Sequence, residues 1–201
     1  MKKRMKTQAK INLMINFDIY KVPKVLDPVD YDETVTYSDN GYKHAAVLLP
    51  LVWHKDQWNI LFTKRTETLP HHKGQISFPG GKYEIEDKNM YETAIRETEE
   101  ELGISRNSIQ TLGSMESFTA VSGIEISPYV GIIFWPQRLS LSVNEVSKVI
   151  LMPISWLADP ENYEEKEYNG YPDVVFYQPF QGEVLWGITA QLTKTFLEKL
   201  A

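Results

Sequence analysis

The chain has no cysteine among its 201 residues. Disulfides, thiolate catalysis and cysteine-based zinc sites are therefore excluded. It also lacks an apolar run long enough to span a bilayer. The basic start, MKKRMKTQAKINLMINFDIY, is broken by Asn12, Asn16 and Asp18 and has no small-residue cleavage site after it. These absences lead us to expect a cytoplasmic protein that crosses no membrane. Nor is there an excess of positive charge. The net charge is −6, which argues against a general nucleic-acid binder. An anionic substrate would be repelled at long range unless a metal ion or local Lys and Arg reversed the field.

What is present is an ordinary globular composition, 42% hydrophobic and 24% charged, in a length that suits one domain with a full core. Residues 1–43 are mixed and polar, and we assign them no chemistry. They form an N-terminal extension packed on or flanking a domain at 44–201. From His44 the pattern changes. The stretch 44–54 is nearly continuously apolar, as in a strand buried on both faces. Trp58–Arg65 forms a second strand after a turn at HKDQ, and the pair predicts a hairpin. Ile76–Gly81 is a short strand ending in a turn. Further strands are expected at Ile109–Phe118, Ile126–Trp135, Val143–Pro153 and Val174–Phe180. Asp159–Gly170 is an acidic loop or edge hairpin, and Ile188–Leu200 is an amphipathic helix. The order predicts one α/β domain with a mixed sheet and helices on both sides.

The stretch Gly80–Ile104, GGKYEIEDKNMYETAIRETEEELGI, carries the chemistry. A glycine pair opens a loop. A helix follows, capped by Asp87 or Asn89, with Ile95, Thr98 and Leu102 on its inward face. Gly103 suits the left-handed position that ends it. Glu97, Glu99, Glu100 and Glu101 crowd one short run, and like charges three or four apart on a helix repel. Such a run needs open solvent or a bound cation. Carboxylates at i, i+3 and i+4 converge on a small volume, and Mg²⁺ takes oxygen ligands of this kind. Open solvent would leave a plain acidic face, whereas a bound cation would draw on Glu97, Glu100 and Glu101, with Glu99 pointing away from them at the surface. Arg96 orients a carboxylate through a two-point contact. Gly80 and Gly81 allow a close approach to metal and substrate.

These residues resemble the Nudix box, G-x5-E-x7-R-E-U-x-E-E-x-G-U with U aliphatic. Gly81, Arg96, Glu97, Glu100, Glu101, Gly103 and Ile104 match. Asp87 stands where the first Glu is expected, the gap from Gly81 to Arg96 is one residue longer, and Thr98 replaces the aliphatic U. The longer spacing is similar to that of the branch that hydrolyses coenzyme A. Leu61–Gly81 resembles that branch's upstream signature, matching at Leu61, Thr63, Arg65, Gly74, Phe78, Pro79, Gly80 and Gly81. Pro70 stands where the branch usually has Arg. SPYVG (Ser127–Gly131), VNEVSKV (Val143–Val149) and LWGITA (Leu185–Ala190) are similar too.

The resemblance implies a Nudix α/β/α sandwich, Mg²⁺ or Mn²⁺ as cofactor, and hydrolysis of the pyrophosphate bond of coenzyme A or an acyl derivative. The products would be 3′,5′-ADP and phosphopantetheine. It makes Glu100, Arg96 and Glu97 the catalytic group. Glu97, Glu101, Glu100 and Gly81 form the metal site, and Arg65, Lys64, Lys73 and Gly80 contact substrate. Among loop residues, His71 and His72 divide between substrate contact and plain exposure. Glu145 divides between reaching the site and a cross-strand pair. Tyr177, Phe180 and Trp186 divide between stacking on adenine and core packing. The partner is a small nucleotide, and the protein is a monomer or homodimer. Two other readings remain open. One is the same chemistry on ADP-ribose or NADH. The other is a ligand-sensing module without turnover.

Overall fold

The strand β1 (Lys43–His54) is the centre of the structure, a computed structural model that describes residues 17–33 and 43–201. The basic first segment lies outside the described residues. β1 turns into β2 (Gln57–Arg65) with His54 opposite Gln57. The two turn residues, Lys55 and Asp56, both have positive φ, 51° and 58°. That geometry matches the right-handed twist of a two-residue hairpin.

Further strands complete an eight-stranded sheet. They are β3 (Ile76–Ser77), β4 (Gly80–Lys82), β5 (Ile109–Ser114), β6 (Phe118–Thr119), β7 (Ile124–Ile133) and β8 (Val146–Pro153). β1 lies parallel to β7, from Lys43 opposite Ile124 to Leu51 opposite Ile132. It pairs antiparallel with β2 and β4. The sheet is therefore mixed, as expected. The strand expected at Val174–Phe180 begins earlier, as β10 (Tyr171–Tyr177). It pairs with β9 (Tyr163–Tyr168), so the acidic stretch is an edge hairpin.

The near-continuous apolar run of β1 serves two cores. Successive side chains point to opposite faces. Ala46, Leu48 and Val52 join one core with Met90, Ala94 and Leu102 of helix α1 (Met90–Leu102). Leu49 and Leu51 join the other with Leu192, Phe196 and Leu197 of α3 (Gly187–Leu200). A short helix α2 (Ile154–Leu157) buries Ile154 and Leu157 on that second side. The result is an α/β/α sandwich. Val22, from the N-terminal segment, is fully buried in the α3-side core, and Asp27 exchanges backbone hydrogen bonds with Ser114 of 3.0 and 2.8 Å.

Candidate active site

The loop between β4 and α1 is built around Asp87. Its Oδ2 accepts from the Glu84 N–H at 3.1 Å and from the Thr93 hydroxyl at 2.8 Å. Arg96 donates to both of its oxygens, Nε to Oδ1 and Nη2 to Oδ2, each at 2.9 Å. Asp87 is thus the anchor of the arginine. Asn89 is the helix cap, with Oδ1 accepting from the Glu92 N–H at 2.9 Å. Gly103 ends the helix in the left-handed region, φ 68°.

Held this way, Arg96 sorts the carboxylates. It donates to the Lys82 carbonyl at 3.0 Å, to Glu97 at 3.0 Å and to Glu100 at 3.3 Å. The two glutamates then diverge. The Glu97 side chain is 14% exposed and that of Glu100 is 59% exposed. Glu101 is buried and its Oε2 has no hydrogen-bond partner. Glu99 pairs with Arg106 at the surface, as expected.

One cavity of about 650 Å³ adjoins these groups. Arg65, Gly80, Gly81, Glu97, Glu101 and Glu145 all line it. Glu145, for which the sequence leaves site contact and a cross-strand pair both open, precedes β8 and lines the cavity. Burial pushes the Glu101 carboxyl up to about 8, and the charge of Glu97 adds to that. Burial also raises Glu97, against the lowering effect of Arg96. Asp87 goes the other way. Burial alone would raise it, but the bonds from Arg96, the Glu84 N–H and Thr93 hold it below the usual range.

Glu100, Lys64 and Lys73 do not line this cavity. Lys64 pairs with Glu183 at 3.0 Å, and Lys148 pairs with the same carboxylate at 2.7 Å. Lys73 and His71 are exposed. His72 does reach the cavity and pairs its Nδ1 with Gln75 at 2.8 Å. Arg65 reaches it too, and its Nε is buried without a partner. Of the three aromatics, Tyr177 is core and Phe180 packs on Trp156, whereas Trp186 lines the cavity.

Among the described residues, no three His, Asp or Glu side chains form a closed ligand set. The groups present nevertheless suit a hard cation that keeps waters and takes substrate oxygens. The unpartnered Glu101 Oε2 is a buried acceptor in need of a cation. The loop is shaped around Glu97, since a Cβ on Gly81 would lie 2.3 Å from its carboxyl. A Cβ on Gly80 would meet the Ala46 carbonyl at 2.3 Å, so only glycine fits this close approach to β1.

Comparison with known proteins agrees with this architecture. A NUDIX domain model matches residues 42–174. A Nudix hydrolase NudL of Photorhabdus laumondii, itself called uncharacterized, is 36% identical over 159 residues, 77% of this chain and 83% of that protein. The protein of the same name from Pectobacterium atrosepticum is 32% identical over 155 residues, 75% of this chain and 79% of that protein. The crystal structure of a NUDIX hydrolase from Nitrosomonas europaea superimposes with a TM-score of 0.53 over 86% of this chain and 78% of that one, at 15% identity, a likeness of fold.

Proposed function

The chain belongs to the Nudix hydrolase family, and from that premise we propose that it hydrolyses the pyrophosphate bond of coenzyme A or its acyl derivatives. The family's general activity is hydrolysis of pyrophosphate links in small nucleotide derivatives, generally with divalent metal ions. The narrower reading rests on one observation. The segment Leu61–Gly81, which carries the coenzyme A-type signature, delivers Arg65 and the Gly80–Gly81 loop into the cavity of Glu97 and Glu101.

In this reading Glu97 and Glu101 would hold Mg²⁺ or Mn²⁺, with Glu145 on the same cavity. When bound, the ion neutralises phosphate oxygens and lowers the pKa of a coordinated water. Arg96, itself locked by Asp87, keeps Glu97 aimed past Gly81. The Arg65 guanidinium binds a phosphate oxygen and offsets the charge of the cluster. Glu145 lies outside the Arg96 network and takes the proton of the attacking water. Water oxygen bonds to phosphorus, the bridging P–O bond breaks, and 3′,5′-ADP and phosphopantetheine leave. Glu100 acts through Arg96 as a positioning residue. The catalytic unit is residues 44–201, preceded by an extension whose described part, 17–33, buries Val22 against it. A cytoplasmic setting fits the lack of cysteine, and among the described residues no helix is long and apolar enough to cross a membrane.

Lys64 and Lys73 lie outside the cavity, and this favours a second reading. A 3′-phosphate would find few cations, so ADP-ribose or NADH would suit a site of this charge. Incubation with Mg²⁺ and coenzyme A, NADH or ADP-ribose, with products resolved by chromatography, decides the matter. Release of phosphopantetheine supports the first reading, and cleavage of the others alone overturns it. Tight binding with no turnover would make the protein a ligand sensor.

A further inference from the structure

The cavity has two unlike walls. The carboxylates and Arg65 form one. The other is apolar, made by Val47, Ile76, Ile126, Trp186, Ile188 and Leu192. Val47, Ile126, Trp186 and Ile188 are only half-buried, so they keep apolar surface on the cavity, although Val47 and Ile188 also pack against the core. The pyrophosphate chemistry makes no use of such a surface.

Trp186 is braced in place. Its ring stacks on Phe176 with centroids 5.5 Å apart and planes 7° apart, and the Tyr168 ring meets it edge-on at 5.2 Å. The turn before it is closed by reciprocal hydrogen bonds between Phe180 and Glu183, 2.8 and 3.0 Å. Glu183 ties that turn to the sheet through Lys64 and Lys148. The Tyr177 N–H donates to the Leu185 carbonyl at 2.8 Å. A fixed apolar lining in the same cavity as a polar cluster sorts ligands by the apolar part they carry.

We propose that Trp186, with Ile188 and Leu192, is the specificity-determining wall of this site, and that it receives the aliphatic chain of an acylated substrate. The proposal rests on the coenzyme A reading above. The occupant is a chain rather than a base because the lining is mainly branched aliphatic. Of the other rings on the cavity, Phe78 is buried and stacked on Phe62, with centroids 5.1 Å apart, and the His72 imidazole is held by Gln75 at 2.8 Å. Phe78 therefore offers no free face to sandwich a base against Trp186. The chain gains by leaving water for this wall, and the longer acyl group binds more tightly.

The test separates binding from turnover. Affinities of coenzyme A and octanoyl-coenzyme A are measured by calorimetry with Mg²⁺ in a Glu145→Gln background, which slows turnover and keeps Glu97 and Glu101, alone and combined with Trp186→Ala or Ile188→Ser. Thermal melts confirm that each variant folds, and the Ile188→Ser arm stands if Trp186→Ala does not fold. Cleavage of coenzyme A by the unmodified enzyme is assayed in parallel. The octanoyl thioester should bind about tenfold or more tightly than coenzyme A, and either wall substitution should bring the two within about twofold. Equal affinities with the wall intact, or a preference that survives in a folded wall variant, overturn the proposal. Cleavage without that preference removes the wall alone. The preference without cleavage of coenzyme A leaves the wall and removes the substrate reading. Binding of neither ligand removes both.

Discussion

Asp87 grips Arg96 at two points, with Nε–Oδ1 and Nη2–Oδ2 both at 2.9 Å. The pair is largely out of solvent, with side chains 5% and 20% exposed. Everything the arginine does to Glu97 depends on this grip. Asp87→Asn removes the charge and one acceptor, and strands Arg96 in a partly buried site. We expect a loss of about 2–4 kcal/mol in stability at neutral pH and a clear fall in kcat.

The pH course of that loss follows from the depressed carboxyl. A group held below its unfolded value contributes stability above the unfolded pKa, about 3.9 for Asp. The contribution disappears as pH falls through the folded value. Denaturant melts of wild type and Asp87→Asn should therefore differ most above pH 5 and converge below pH 4. A gap that widens on acidification would refute the assignment of Asp87 as the ionised anchor.

The two loop glycines should fail differently. In Gly81→Ala the new methyl lands 2.3 Å from the Glu97 carboxyl, a side chain that can swing away. The fold should survive, while displaced Glu97 costs roughly 100-fold in kcat. In Gly80→Ala the methyl meets the Ala46 carbonyl, which is backbone of the central strand. That variant should lose stability first, which a thermal melt would show.

Glu100 and Glu145 exchange the importance that the sequence suggests for them. Glu100 is exposed and turned to Arg96, while Glu145 lines the cavity. Glu145→Gln should lower kcat by about 100-fold or more, within the range for a lost general base. Glu100→Gln should cost tenfold or less. Steady-state kinetics at saturating Mg²⁺ distinguish the two.

The residues that meet at the cavity were largely legible as candidates because they are local. Gly81, Arg96, Glu97 and Glu101 sit within one loop and helix, and both cap residues were visible as candidates. Glu100 lies off the cavity for a geometric reason. At about 100° per residue, Glu101 lies 40° to one side of Glu97 and Glu100 lies 60° to the other. A helix that buries Glu101 therefore turns Glu100 outward. Glu145 and Trp186 were not separable from structural residues, because long-range strand order brings them to the cavity. Lys64 looked like a phosphate ligand until the fold set Glu183 against it. The sandwich itself was readable from β1, whose apolar run serves both faces.

The central claim is that Glu101 is a buried carboxylate kept for a cation. Its unpartnered oxygen costs folding energy when no cation is present. The most direct measurement is a pair of melts, in chelator and in Mg²⁺, on wild type and Glu101→Gln, with turnover assayed alongside. In chelator the Gln variant should be the more stable, by about 1–3 kcal/mol. Mg²⁺ should raise the wild-type melting temperature, leave the variant nearly unmoved, and support turnover in wild type alone. A variant that is less stable in chelator, still responds to Mg²⁺ and still turns over substrate would contradict the account.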